Sequence, residues 1–237
     1  MKILNKKLTV ITNVILCAVI IVVTMVSFFP QNIVPIYGGQ GMEAIYHGNK
    51  ERKNVSIMIN VYENSQIVSE MIDVLSENGA KATFFVGGCW ADDNAETLNK
   101  IVESENEIGN HGYFHLDHKN ISYDKNLQEI NLTGVVTEAL CGYKPSLFAP
   151  PSGSFSDNTL EAAYNLGYKV IMWSKDTIDW RDSDTELLFK RATKNPENGD
   201  LILMHPKPHS LQVLPRILEF YKNAGYNIVT VSENIAE

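Results

Sequence analysis

Three stretches of this chain carry side chains whose types and spacing suit bond-breaking chemistry. Gly109-Asn110-His111-Gly112-Tyr113-Phe114-His115 places two histidines four residues apart in a polar, glycine-punctuated segment. Four apart on one helical turn, two imidazoles face the same way and can share a metal ion; the alternative is a pair of hydrogen-bonded loop histidines. Asp176-Thr177-Ile178-Asp179-Trp180 sets two carboxylates beside an indole. One carboxylate could orient an imidazole against the apolar ring, or the run is a turn with capping aspartates and a core tryptophan. Leu201-Ile202-Leu203-Met204-His205 carries an imidazole at the end of an apolar strand, a place for a general acid or for a structural histidine. His47, His118 and His209 fall in polar loops or in the leading segment and read as solvated side chains.

These groups need elements to hold them. Short apolar runs bounded by Gly, Asn or Pro occur at Val55 to Asn60, Ala82 to Val86, Glu107 to Asn110, Ser146 to Ala149, Tyr168 to Trp173, Leu201 to Met204 and Asn227 to Val231. Their length and lack of alternation predict about seven parallel strands buried on both faces. Helical periodicity lies between them. In Ser65 to Asn78, Ile67, Met71, Ile72 and Leu75 share one face and Gly79 supplies the stop, while Ser156 to Leu166 has Ser156 as N-cap and Gly167 as breaker. Repeated βα units give an open doubly wound sheet or a βα barrel. The polar residues decide for the barrel: Asn60, His111, His115, Asp176, Asp179 and His205 sit at or just beyond strand ends, and a closed parallel barrel brings those ends to one face.

The rest of the sequence sets the context. Leu8 to Phe29 is uncharged and would span roughly 33 Å as a helix, near the hydrocarbon thickness of a bilayer. Lys2, Lys6 and Lys7 precede it and the next charge is Glu43, so residues 1–7 are expected in the cytoplasm, 8–29 as a single transmembrane anchor, and the remainder outside the cell. A cleaved signal peptide fits less well, because the apolar stretch is long and no small-x-small site precedes Pro30. Residues 30–53, rich in Gly, Asn and Pro, read as a tether, and 54–237 as one α/β domain. Without the three anchor lysines, the 20 basic residues become 17 against 28 acidic ones, a formal charge of −11, which argues against nucleic acid as a partner. Cys17 lies in the expected anchor; Cys89 and Cys141 lie outside it, paired or free.

In order and spacing, these segments resemble the polysaccharide deacetylase family, the NodB-homology or carbohydrate esterase family 4 proteins, from about Val55 to Val231. His111 and His115 are similar to the family's metal-binding pair. Phe148-Ala149-Pro150-Pro151-Ser152-Gly153 resembles its groove-wall motif, Asp176 to Trp180 its D-x-x-D-W motif, and Leu203-Met204-His205 its L-x-H motif. The resemblance implies a distorted (β/α) barrel of seven units. It also implies hydrolysis of N-acetyl groups on cell-wall, peptidoglycan-like glycan, with a divalent metal ion, zinc or cobalt, activating water. By the same carry-over His111 and His115 hold the metal and His205 is the general acid. Asp179 or Asp176 supports it, and Trp180, Pro150, Pro151 and Gly153 line the substrate groove.

Two positions depart from the family pattern. Where active members read Thr-Phe-Asp-Asp-Gly, this chain reads Met58-Ile59-Asn60-Val61-Tyr62, so Asn60 stands at the catalytic base and Val61 at the third metal ligand. Ala149 replaces an arginine that pairs with the base, so both members of that pair are missing together. This combination resembles the YlxY-type, sporulation-associated branch. It leaves two expectations: a metal-dependent deacetylase with a degenerate first motif, or an inactive homologue that binds glycan through the groove.

Overall fold

The computed structural model describes residues 13–14, 16–18 and 42–236. The expected anchor falls mostly outside them, as does the tether up to residue 41; positions 13, 14 and 16–18 are helical. Among the described residues no helix is long and apolar enough to cross a membrane.

From residue 42 the chain builds a parallel α/β fold. Its strands are β1 (Asn54–Val61), β2 (Ala82–Val86), β3 (Glu107–Asn110), β4 (Leu147–Phe148), β5 (Lys169–Val170), β6 (Lys175–Asp176), β7 (Asp200–Met204) and β8 (Asn227–Ile228). The helices are α1 (Ser65–Glu77), α2 (Gly88–Asp93), α3 (Ala95–Glu103), α4 (Tyr123–Cys141), α5 (Asp157–Asn165), α6 (Thr185–Thr193), α7 (Pro208–Asn223) and α8 (Val231–Ile235). The sheet runs β5-β4-β3-β2-β1-β7-β6, with β8 paired to the start of β1, and every pairing is parallel.

The fifth predicted strand differs in detail. The apolar run from Tyr168 to Trp173 is not one strand: β5 pairs with β4 at one edge of the sheet, and β6, which the sequence pattern does not show, pairs with β7 at the other. Residues 171–174 carry the chain from edge to edge. The barrel is therefore bridged by the covalent chain where β5 and β6 form no ladder. The segment expected to be a tether also joins the domain from its residue 42 onward. Ile45 forms a parallel bridge with Ile171, and the N–H groups of Gly48 and Asn49 donate to Gly199 and Asn234 carbonyls at 2.7 and 2.8 Å.

Strand alternation divides the core into two layers. Val55, Ile57, Ile59 and Val61 of β1 pack outward with Met71, Ile72 and Leu75 of α1 and with Leu214 and Ile217 of α7. Met58 points the other way and fills the interior with Phe85, Leu147, Ala149, Ile171 and Leu201. Each such side chain removed from water contributes about 1.5–3 kcal/mol before the entropy of ordering is counted. Asn60 shares the parity of Met58 and lies two residues further along, so it faces the interior at its C-terminal mouth.

The helices hold that mouth in shape. In α1 the fully buried stripe is Val68, Met71, Ile72 and Leu75, with Ile67 at its rim, and Gly79 leaves the helix at φ 53 where a β-carbon is strained. Asn64, the α1 N-cap at φ 57, donates from Nδ2 to the Pro206 carbonyl at 3.0 Å and ties the loop after β1 to the loop after β7.

Candidate functional site

The C-terminal ends of β1, β3, β6 and β7 open into a cleft of about 550 Å³ whose walls include Asn60, Tyr62, His111, His115, Ser152, Trp173, Asp176, Trp180 and His205. His111 follows β3, 2% exposed, and its Nδ1–H donates to the Ala149 carbonyl across 2.7 Å. That bond fixes the tautomer and leaves Nε2 with a free lone pair. Burial, then the neighbouring His115, pushes its pKa down to about 3, so the ring is neutral at physiological pH.

The two histidines meet, with ring centroids 5.1 Å apart, but not on a helical turn. Residues 111–115 are a loop in which Gly112 has φ 72 and His115 φ 54. Glu129 of α4 shapes it: the carboxylate is almost completely buried and accepts the N–H groups of Tyr113 and Phe114 at 3.1 and 2.7 Å. Asn110 completes the brace by accepting from Gly112 N–H at 2.9 Å and donating to the Ile130 carbonyl at 2.7 Å. Burial lowers the pKa of His115 as well.

Opposite them stands His205, directly after β7. Its Nδ1–H and backbone N–H donate to the two oxygens of Asp179, each at 2.7 Å, and Ser210 donates its hydroxyl to the same carboxylate. Burial opposes ionisation of Asp179, but the bonds from His205 and Ser210 outweigh it and hold the pKa below the ordinary aspartate value. Asp176 does not share this role. Its Oδ1 accepts from Ile178 N–H at 2.7 Å, closing a turn around Ile178, whose φ of 56 is strained for a β-branched residue.

At the end of β1 the two departures from the family pattern have different surroundings. Asn60 is 4% exposed and lines the cleft, with its Oδ1 lacking a hydrogen-bond partner. Val61 is wholly buried in the outer layer against the helices. Ala149 is wholly buried in the interior layer and serves His111 through its carbonyl.

The groove-wall segment also differs from expectation. Pro150 and Pro151 are buried behind the wall, and the residue that reaches the cleft is Ser152, at φ 56. Gly153, at φ 65, lies under Trp173, where a β-carbon would come within 2.7 Å of the indole. Trp180 stands 58% exposed at the rim. Lys207 and Glu63 form an ion pair at the mouth.

Sequence reasoning passed over Tyr62, Ser152, Trp173 and Ser210, which lie in segments it had marked only for other residues. Two histidines read as solvated have defined partners. His118 is fully buried and donates from Nδ1 to Asn126 Oδ1 at 2.7 Å, and His209 donates to the Asp179 carbonyl at 2.8 Å. Their partners come from α4 and from the loop after β6, which local polarity does not reveal. Cys89 and Cys141 are both free thiols.

The residues present do not fit a resident divalent metal. A catalytic ion of this kind takes three protein ligands, and here His111 and His115 stand without a third donor converging on them. Val61 offers no ligand atom, and among the described residues no three His, Cys, Asp or Glu side chains converge.

The family model for polysaccharide deacetylase matches residues 47–171. The protein YlxY of Bacillus subtilis is 34% identical over 82% of this chain and 61% of its own length, so this chain spans about three-fifths of that relative. A peptidoglycan-N-acetylglucosamine deacetylase of Bacillus cereus is 32% identical over 69% of this chain and 79% of its own. Among solved structures, a carbohydrate esterase family 4 pseudoenzyme from Bacillus anthracis superposes with a TM-score of 0.81 at 32% identity, covering 84% of this chain and 70% of that one.

Proposed function

We propose, from the premise that this chain belongs to the polysaccharide deacetylase family, that it holds N-acetylated cell-wall glycan in the cleft without hydrolysing it. The observation that carries this reading is the end of β1. Asn60, at the base position, cannot take a proton from water, and Val61, at the ligand position, is packed among the outer helices. Amide hydrolysis near neutral pH needs an activated water, and this site lacks both the carboxylate at position 60 and the ligand at position 61 that the family pattern uses to make one. The Bacillus anthracis relative, described as a pseudoenzyme, supports the same reading, and the Bacillus cereus deacetylase supports peptidoglycan as the glycan class.

One observation favours hydrolysis instead. His205 keeps a buried carboxylate on Nδ1, the arrangement that lets an imidazole give a proton from Nε2 to a leaving amine. The two readings part in one experiment: acetate release from N-acetylglucosamine oligomers and peptidoglycan by the full chain, with and without added zinc or cobalt. Binding without acetate release, unchanged by metal, supports the glycan-binding protein. Chelator-sensitive acetate release that disappears in His205→Ala supports the hydrolase.

The uncharged stretch 8–29 with lysines before it supports a single-pass anchor, cytoplasmic N-terminus and domain outside the cell. External protease acting on intact cells is expected to remove the domain; complete protection reverses the topology.

A further inference from the structure

Tyr62 stands directly after β1, where the family pattern carries a glycine. Its ring lies against His115, centroids 5.0 Å apart at 48°, and lines the cleft while remaining 39% exposed. The other side of its seat is Gly87. A β-carbon there would fall 2.3 Å from Cδ2 and 2.7 Å from Cε2 of the tyrosine ring, a separation no side chain tolerates. The backbone of Gly87, at φ −72 and ψ 139, is open to any residue. Glycine is required at position 87 by the ring and by nothing in the local conformation.

We infer that Tyr62 is a binding and specificity residue of the cleft, a fixed aromatic shelf on which a pyranose ring of the glycan stacks. This rests on the glycan-binding reading and names a residue of the cleft that would carry it. A held aromatic ring, apolar on its face and polar at its tip, contributes contact area at little entropic cost. Trp180 and Trp173 reach the same cleft from the β6–α6 and β5–β6 connections, so the shelf is one of three indole or phenol surfaces lining it. His115, whose ring Tyr62 covers on one side, thereby serves as packing for the shelf.

The test measures binding of N-acetylglucosamine tetramer to the full chain by titration calorimetry, with Tyr62→Ala, Tyr62→Phe, Gly87→Ala and the double variant Tyr62→Ala with Gly87→Ala. Tyr62→Ala is expected to weaken binding by roughly tenfold, the size of a moderate hot spot, and Tyr62→Phe to stay within about threefold of native. Gly87→Ala, which pushes the ring off its seat, is expected to weaken binding in the native background and to add nothing when Tyr62 is already alanine. Near-UV circular dichroism checks that each variant remains folded. Native binding that is unchanged in Tyr62→Ala, or a Gly87→Ala loss that persists undiminished in the double variant, overturns the role of Tyr62 and leaves the glycan-binding reading standing. No binding by the native chain overturns both.

Discussion

His205 and the carboxylate of Asp179 are joined twice, once through the imidazole Nδ1–H and once through the backbone N–H, each at 2.7 Å. Asp179 is 1% exposed and also receives the Ser210 hydroxyl, so it is the organising acceptor of the loop after β7. Asp179→Ala leaves the buried Ser210 hydroxyl and the partly buried His205 donors without their acceptor. It is expected to cost about 2–4 kcal/mol in urea denaturation, with Asp179→Asn costing less because the amide oxygen still accepts. Equal stability of the alanine variant and the native chain would show that the network does not hold the loop.

Acid stability follows from His111. Its pKa falls from 6.5 to about 3 on folding, so between those values the unfolded chain binds the proton that the folded one refuses. The contribution of His111 to stability is fully present above about pH 6.5 and is lost as the pH falls towards 3. His115 and His118, also lowered by burial, act in the same direction. Denaturation midpoints taken from pH 7 to pH 4 should decline, and His111→Gln should make the decline shallower. A midpoint independent of pH over that range contradicts the buried neutral ring.

Val61→Asp is expected to lower the melting temperature by several degrees, because position 61 is wholly enclosed by the outer core layer and a carboxylate there has no partner. Asn60→Asp, at the cleft surface, is expected to be tolerated better. Thermal unfolding of the two single variants ranks them, and the reverse order would mean that the end of β1 is open to water.

Gly153→Ala combines a φ of 65 with a β-carbon 2.7 Å from the Trp173 indole. The expected result is a loss of roughly 1–2 kcal/mol in stability and a change in tryptophan emission as the indole is displaced. Unchanged emission would show that Gly153 does not seat Trp173.

Much of the fold was legible in the sequence because it follows local rules. The short runs at residues 55–60, 82–86, 107–110 and 201–204, bounded by turn residues, appear as β1, β2, β3 and β7, each buried on both faces. Gly79 and Gly167 stop their helices because positive φ is a property of the residue itself. The histidines, the aspartates and the loss of Asp at positions 60 and 61 could be read from order and spacing alone.

What the tertiary structure decided depends on groups distant in sequence. That Asp179 and not Asp176 holds His205, that Asn60 faces the cleft while Val61 faces the helices, and that Tyr62 rests on Gly87 are consequences of strand parity and of close approach between separate loops. The sequence alone determined the family, the parallel α/β layers and the missing carboxylates. Only the folded chain determined which side chains face the cleft, because a one-residue step along a strand reverses the side chain, and contacts between loops are set by packing rather than by composition.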